Sequence, residues 1–244
     1  MNPCVFRLSK RGNRPEECED AFASDATVGR FAVADGATES AFAREWAQLL
    51  VDQFVASHND DSEDGMPWFV RAREQLSEGF RGRELKWYAH EKLRRQGASA
   101  TFLGIVVSGS PGETRKWRGV AIGDTCLFHV RSNELLWAFP IDRSDDFGNA
   151  PELVCTKASP EEIGRKRTKR IERDGQPDDR LWMMTDALAQ WCLVEEEAGT
   201  GPWKAMERWL DPEATNGSFA EWVESLRDEK RIRNDDVTLL AVDL

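Results

Sequence analysis

The chain has 244 residues, 40% of them hydrophobic and 32% charged, with 33 basic against 44 acidic side chains for a formal net charge of −11. That is ample sequence for a real core in one large domain or two small ones, and the acid excess argues against the extended positive field that nucleic acid or an anionic membrane requires. Five cysteines (Cys4, Cys18, Cys126, Cys155, Cys192) form no CxxC pair, which argues against a disulfide framework or zinc knuckle.

Asp20 to Ala34 reads as a hairpin, because DAFASD and RFAVAD alternate and ATVG between them supplies a turn. The period then changes. Phe42, Trp46, Leu49, Leu50 and Phe54 share one helical face up to Ser57, and Thr38 and Ser40 stand where caps are expected. NDDSEDG is an exposed loop, and Pro67 suits the first turn of the next helix. Residues 67–96 hold two helices or one broken by Gly79 and Gly82. Ser99 to Gly109 is a nearly continuous apolar run and reads as a buried strand, with WRGVAI and TCLFHVR as strands around Gly123-Asp124.

Residues 132–160, with Pro140, Pro151, Pro160 and DRSDDFGN, read as an irregular surface segment, and 161–173 as a strongly basic helix. DRLWMM is a strand, helices fall near 187–196, 202–210 and 218–229, and DVTLLAVDL is a last strand. No repeat, linker or regular βαβ alternation appears, so an α+β domain with helices outside antiparallel sheets fits best. With no long apolar segment at the N-terminus and no membrane-length run, a reducing cytoplasm is the expected compartment.

Carboxylates punctuate these strands. Glu19-Asp20, Asp35-Gly36, Asp186-Ala187 and Asp235-Asp236 each sit where a strand begins or ends, and Asp124 sits in a turn. Any one alone is an ordinary turn former or helix cap. Together, at one edge of a sheet and without basic partners, they would repel strongly. A hard cation such as Mg²⁺ or Mn²⁺ relieves that repulsion and prefers oxygen ligands. The glycine after Asp35 lets a backbone carbonyl approach the same ion.

ECEDAF, FAVADG, GASATFLGIVV, AIGDTCLFHV, WMMTDA and NDDVTLLAV occur in the order and approximate spacing of the protein phosphatase 2C family, which the chain resembles from about Glu16 onward, in a divergent bacterial form. The resemblance implies a four-layer α-β-β-α sandwich, two antiparallel sheets flanked by helix pairs. It implies a single catalytic domain over 1–244, with a flap-like segment at about 132–173. It also implies two Mg²⁺ or Mn²⁺ ions and hydrolysis of phosphoserine or phosphothreonine in a phosphorylated protein by an activated water. Position by position, Asp35 matches the aspartate that bridges the ions and is central to catalysis, and Gly36 offers its carbonyl to the first ion. Glu19, Asp186 and Asp235 match ligands of the second, and Asp20 matches a carboxylate that holds a water beside them.

Three positions depart from the family pattern. Ala37-Thr38-Glu39-Ser40 follows Asp-Gly where better-known members carry a histidine proposed as general acid. The remaining histidines, His58, His90 and His129, read as ordinary surface or core residues. The phosphate-binding arginine expected four residues before Glu19 is Pro15, leaving Arg14 either to bind phosphate or to be a surface arginine. A third ion would use Asp124 and Asp186, but Gln190 takes its last acidic position, so Asp124 serves either that ion or its turn.

The basic run 164–173 is either a solvated helix face or a dock for an acidic phosphoprotein. Two other functions compete with the phosphatase. One is a catalytically weak phosphoprotein-binding module, the other a phosphoesterase for small molecules.

Overall fold

The computed structural model describes residues 3–57, 66–81, 87–110, 112–148 and 150–244. Two five-stranded antiparallel sheets carry the fold. The first runs β1 (Cys4–Leu8), β12 (Val237–Asp243), β11 (Arg180–Met184), β7 (Cys126–Arg131), β8 (Glu134–Phe139). The second runs β10 (Lys169–Gly175), β6 (Arg115–Ile122), β5 (Phe102–Ser108), β3 (Arg30–Asp35), β2 (Asp20–Asp25). A short ladder joins β4 (Ser99–Ala100) to β9 (Val154–Cys155).

Side-chain alternation builds the layers. Leu103 and Ile105 of β5, Leu181 and Met183 of β11, and Leu240 and Val242 of β12 fill the space between the sheets. Their neighbours point outward. Phe102 meets α1 (Ala43–Val55) and α2 (Pro67–Gly79), onto which Leu93 of α3 (Trp87–Gln96) also packs. Trp182, Leu239 and Ala241 meet α5 (Asp186–Glu197), α6 (Pro202–Met206) and α7 (Asn216–Asp228). Each sheet is therefore covered on both faces, which is why β5 and β12 read as continuous apolar runs rather than half-polar ones. Gly104 belongs to the same packing, since a Cβ there would lie 2.6 Å from the ring of Phe54 on α1. The expected α-β-β-α sandwich of antiparallel sheets is the observed fold.

The departures lie at sheet edges. CVFRL forms β1 against β12, with Phe6 stacked on Phe219 at 5.0 Å between centroids, where no strand was expected. The segment expected to be irregular contains β8 and β9, and the expected basic helix stops early. A single turn, α4 (Pro160–Glu162), and a looser one over Ile163–Arg167 give way to β10. At β1 and β10 an edge strand pairs on one side only, so its local pattern is weak and the distant ladder decides its conformation. Ile171 anchors β10 over Gly119, where a Cβ would stand 2.9 Å from its Cγ2.

Thr38 and Ser40 do not cap α1, which starts at Ala43 after Phe42 in a left-handed conformation (φ 58°). His58, Gly82 and the loop expected at 59–65 lie outside the described residues. Among the described residues no helix is long and apolar enough to cross a membrane.

Candidate metal centre

Strand register collects the acidic residues at one end of the sandwich. In the β2–β3 hairpin Asp20 lies directly opposite Asp35. In the other sheet Met184 of β11 pairs with both Leu239 of β12 and Cys126 of β7. Asp186 just beyond β11, Asp235 and Asp236 just before β12, and Asp124 just before β7 therefore emerge together. Side chains then tie the two sheets at this end. Thr185 Oγ1 donates to Asp20 Oδ2 at 3.0 Å, while Asp236 accepts the Glu19 and Lys10 amides, each at 2.7 Å. Thr101 donates its amide to the Asp35 carbonyl at 2.8 Å.

Asp20, Asp124 and Asp186 are 1%, 4% and 8% exposed, and each keeps a buried Oδ1 with no hydrogen-bond partner. Burial pushes the Asp35 carboxyl well above its ordinary range, and Asp20, Asp186, Asp235 and Asp124 push it the same way. Asp20 is raised by burial and then by Asp236. Asp124 is pushed up to about 7 by burial and by Asp186. Burial also raises Asp186; Arg233 opposes that rise and Asp235 adds to it. One chain thus holds four mutually repelling carboxylates in a place where ionising them is costly.

Gly36 is a steric requirement. A Cβ there would stand 2.8 Å from the Ala43 carbonyl carbon and 2.9 Å from the Glu19 carbonyl oxygen, which already accepts the Gly36 amide at 3.2 Å. The end of β3 therefore passes between two backbones with no room for a side chain.

Glu19, Asp20, Asp35, Gly36, Asp124, Asp186 and Asp235 thus stand at one end of the sandwich. Arg14 is engaged elsewhere: its side chain is mostly exposed, and its amide and Nε contact Glu17 Oε2 at 2.8 and 3.4 Å. Lys10 is the cation that meets the site's edge, with Nζ 3.7 Å from Glu19 Oε2 and 3.3 Å from Thr38 Oγ1. Thr38 donates to Glu19 at 2.6 Å, so the residue that looked like a cap orients a carboxylate instead. A second cation, Arg233, holds Asp186 Oδ2 at 2.5 Å. Sequence reasoning missed Lys10 and Arg233, although RIRNDD places an arginine two residues before the acidic pair.

Gln190 contacts the Ser144 carbonyl at 3.4 Å. His90 falls on α3, and His129 is buried against Asp179 at 2.8 Å. In the basic run, Arg167 pairs with Glu162 at 2.5 Å and Lys169 reaches the Pro140 carbonyl at 3.1 Å, so part of it is pinned to its own neighbourhood. These two residues, with Asp124, Ile141 and Pro151, line a cleft of about 300 Å³.

Among the described residues no three His, Cys, Asp or Glu side chains converge into a ready-made cage. The donor chemistry nonetheless fits a hard divalent cation: every candidate is an oxygen, three of them are buried and unpaired, and the Gly36 cradle admits no Cβ.

A model described as Protein phosphatase 2C matches residues 11–228 of the chain. Among solved structures, the catalytic domain of the serine threonine protein phosphatase PstP in complex with two manganese ions is similar over 99% of both chains, with TM-score 0.60 and 17% identity. The Mycobacterium tuberculosis serine/threonine phosphatase PstP/Ppp is similar over 100% of this chain and 98% of its own, with TM-score 0.59 and 19% identity. Stp1 from Staphylococcus aureus gives 100%, 95%, 0.62 and 14% respectively. No curated protein matches the chain by sequence. At these identities the structural likeness is one of fold.

Proposed function

Because this chain belongs to the protein phosphatase 2C family of metal-dependent serine/threonine phosphatases, we propose that it hydrolyses phosphoserine and phosphothreonine in proteins at the acidic end of its sandwich. The observation that carries this reading is the set of buried, unpaired carboxylate oxygens on Asp20, Asp124 and Asp186, gathered beside Asp35. Such a set is unfavourable to the fold and gains a purpose only with cations.

In this reading Asp35 and the Gly36 carbonyl would hold a first ion, and Asp35, Glu19, Asp186 and Asp235 would hold a second, Mg²⁺ or Mn²⁺ in each case. When bound, such a pair supplies positive charge to the phosphoryl oxygens and makes a water nucleophilic near neutral pH. The chain supplies the rest. Thr38 orients the Glu19 carboxylate. Asp236 locks the Lys10 and Glu19 amides, fixing the segment that carries Glu19 against the start of β12. Asp20, held through Oδ2 by Thr185, has its Oδ1 without a protein partner and would orient a water beside the ions through that oxygen. The substrate phosphate is received at the Glu19 edge, where Lys10 is the cation in contact with the site, whereas Arg14, the family's candidate, is paired with Glu17.

The chain acts as one catalytic domain over 1–244, and the segment around 132–173 borders the cleft near Asp124. We place it in the cytoplasm, in line with its five free thiols, and assign it no nucleic-acid or membrane partner.

The test is turnover of a phosphothreonine peptide and an aryl phosphate with Mn²⁺. Activity should vanish with a chelator. A folded protein that binds Mn²⁺ but turns over neither substrate would sink the enzymatic reading and favour the phosphoprotein-binding module.

A further inference from the structure

Asp186 already has a cation. Arg233 Nη2 sits 2.5 Å from its Oδ2, while its Oδ1 is buried and unpaired. An arginine keeps its charge at every physiological pH, so this partner cannot be removed by deprotonation. It can be removed by movement. The Arg233 side chain is 40% exposed, so its head is already partly hydrated. It also borders a groove of about 420 Å³ lined by Ala187, Gln190, Lys230 and Arg231. That groove gives the guanidinium somewhere to go.

Resting on the reading of this end as a metal centre, we infer that Arg233 is a resident counter-ion of Asp186 that a divalent cation must displace, so that Arg233 sets the metal affinity of the site. The ion pair neutralises part of the acidic cluster in the metal-free protein, and a cation arriving at Asp186 meets a positive charge in contact with its ligand. Like charges at that separation oppose each other, and the exposed member yields. Metal binding and rotation of Arg233 into the groove are then one coupled event.

The arrangement differs from that of Arg231, two residues away. Arg231 carries the same charge beside the same groove but pairs with Glu195 and Glu229, at 2.9 and 3.1 Å, outside the cluster.

The experiment is Mn²⁺ titration of the full chain by calorimetry, together with the Mn²⁺-induced rise in melting temperature, for wild type, Arg233→Gln, Arg233→Lys and Arg231→Gln. Arg233→Gln should tighten the Mn²⁺ Kd by about tenfold, equivalent to about 1.4 kcal/mol, and enlarge the Mn²⁺-induced melting shift. Arg233→Lys keeps the competing charge and should stay near wild type, as should Arg231→Gln.

An Arg233→Gln Kd within twofold of wild type, or weaker, overturns the inference. So does equal tightening by Arg231→Gln, which would make the effect one of general charge. Failure of wild type and every variant to bind Mn²⁺ overturns the metal-centre reading itself, and the inference with it.

Discussion

At the end of β11 away from Asp186, Asp179 is also a buried carboxylate, with 0% exposure, but it is surrounded by donors. His129 Nε2 lies 2.8 Å from Oδ2, Arg131 Nε and Nη2 lie at 2.6 and 2.8 Å, and the Gln176 amide donates at 2.8 Å. Burial pushes its carboxyl up, yet Arg131, the Gln176 amide and His129 together hold it below its ordinary value. At the acidic end the balance runs the other way. Asp20, Asp35, Asp124 and Asp186 are all raised, and three of the four keep an oxygen that no donor reaches. The same side chain serves as a structural knot where donors satisfy both oxygens, and as a candidate ligand where an oxygen is left without one, even at Asp186, whose other oxygen is held by Arg233.

Substitution should split the two ends most sharply. Asp35→Asn should lower kcat/KM by more than about a hundredfold, since even outer partners of metal ligands cost 10–100-fold. It should also raise the melting temperature of the metal-free protein by removing one of the mutually repelling charges. Asp179→Asn should do the reverse, costing about 3 kcal/mol of stability while leaving the activity of the folded fraction near wild type. That figure is at the low end for a broken buried pair because Arg131 is partly solvated. Denaturant melts and steady-state kinetics on both variants decide it. Loss of stability in both, with activity lost in neither, would erase the distinction.

The acidic end was legible in the sequence because its residues are tied to strong local signals. Asp35-Gly36 closes an alternating strand, Asp186 follows an apolar one, and Asp235-Asp236 precedes another, so the strand pattern itself delivers them to one edge. Cations that act on them were not legible. Lys10 reaches Glu19 from an N-terminal segment with no periodic pattern, and Arg233 lies in an irregular turn. The fold divides the same way. Central strands with both faces buried announce themselves, whereas β1 and β10 are edge strands specified by one long-range partner each, and β8 is an edge strand held only by its hairpin to β7.

Titration should separate the ends by pH window. A carboxyl whose folded pKa is raised stabilises the fold when protonated, and that contribution fades as pH climbs from the unfolded value to the folded one. For Asp124 the window runs from 3.8 to about 7, and burial drives Asp20 and Asp35 in the same direction. The metal-free protein should therefore melt at progressively lower temperature as pH rises through that window, and saturating Mn²⁺ should flatten the decline. Asp179, lowered in the fold, has the opposite sign: its contribution is present above the unfolded value and is lost only in acid. Asp179→Asn should therefore leave the slope between pH 4 and 7 in place. A metal-free melting temperature that climbs across the window would mean that the acidic end is already compensated.

The smallest effect sharpens how the acidic end meets substrate. Lys10 contacts both Glu19 and Thr38, whereas Arg14 bonds Glu17 in an exposed turn. Lys10→Ala should raise KM for a phosphothreonine peptide several-fold with little change in kcat, the pattern of a lost contact made equally in ground and transition states. Arg14→Ala should change KM less than about twofold, as expected of a solvated surface pair. The reverse ranking would mean that Arg14 leaves Glu17 to meet the phosphate when substrate binds. In that case the contact implied by the family resemblance would be made only in the complex, and the Glu17 pair would be its resting position.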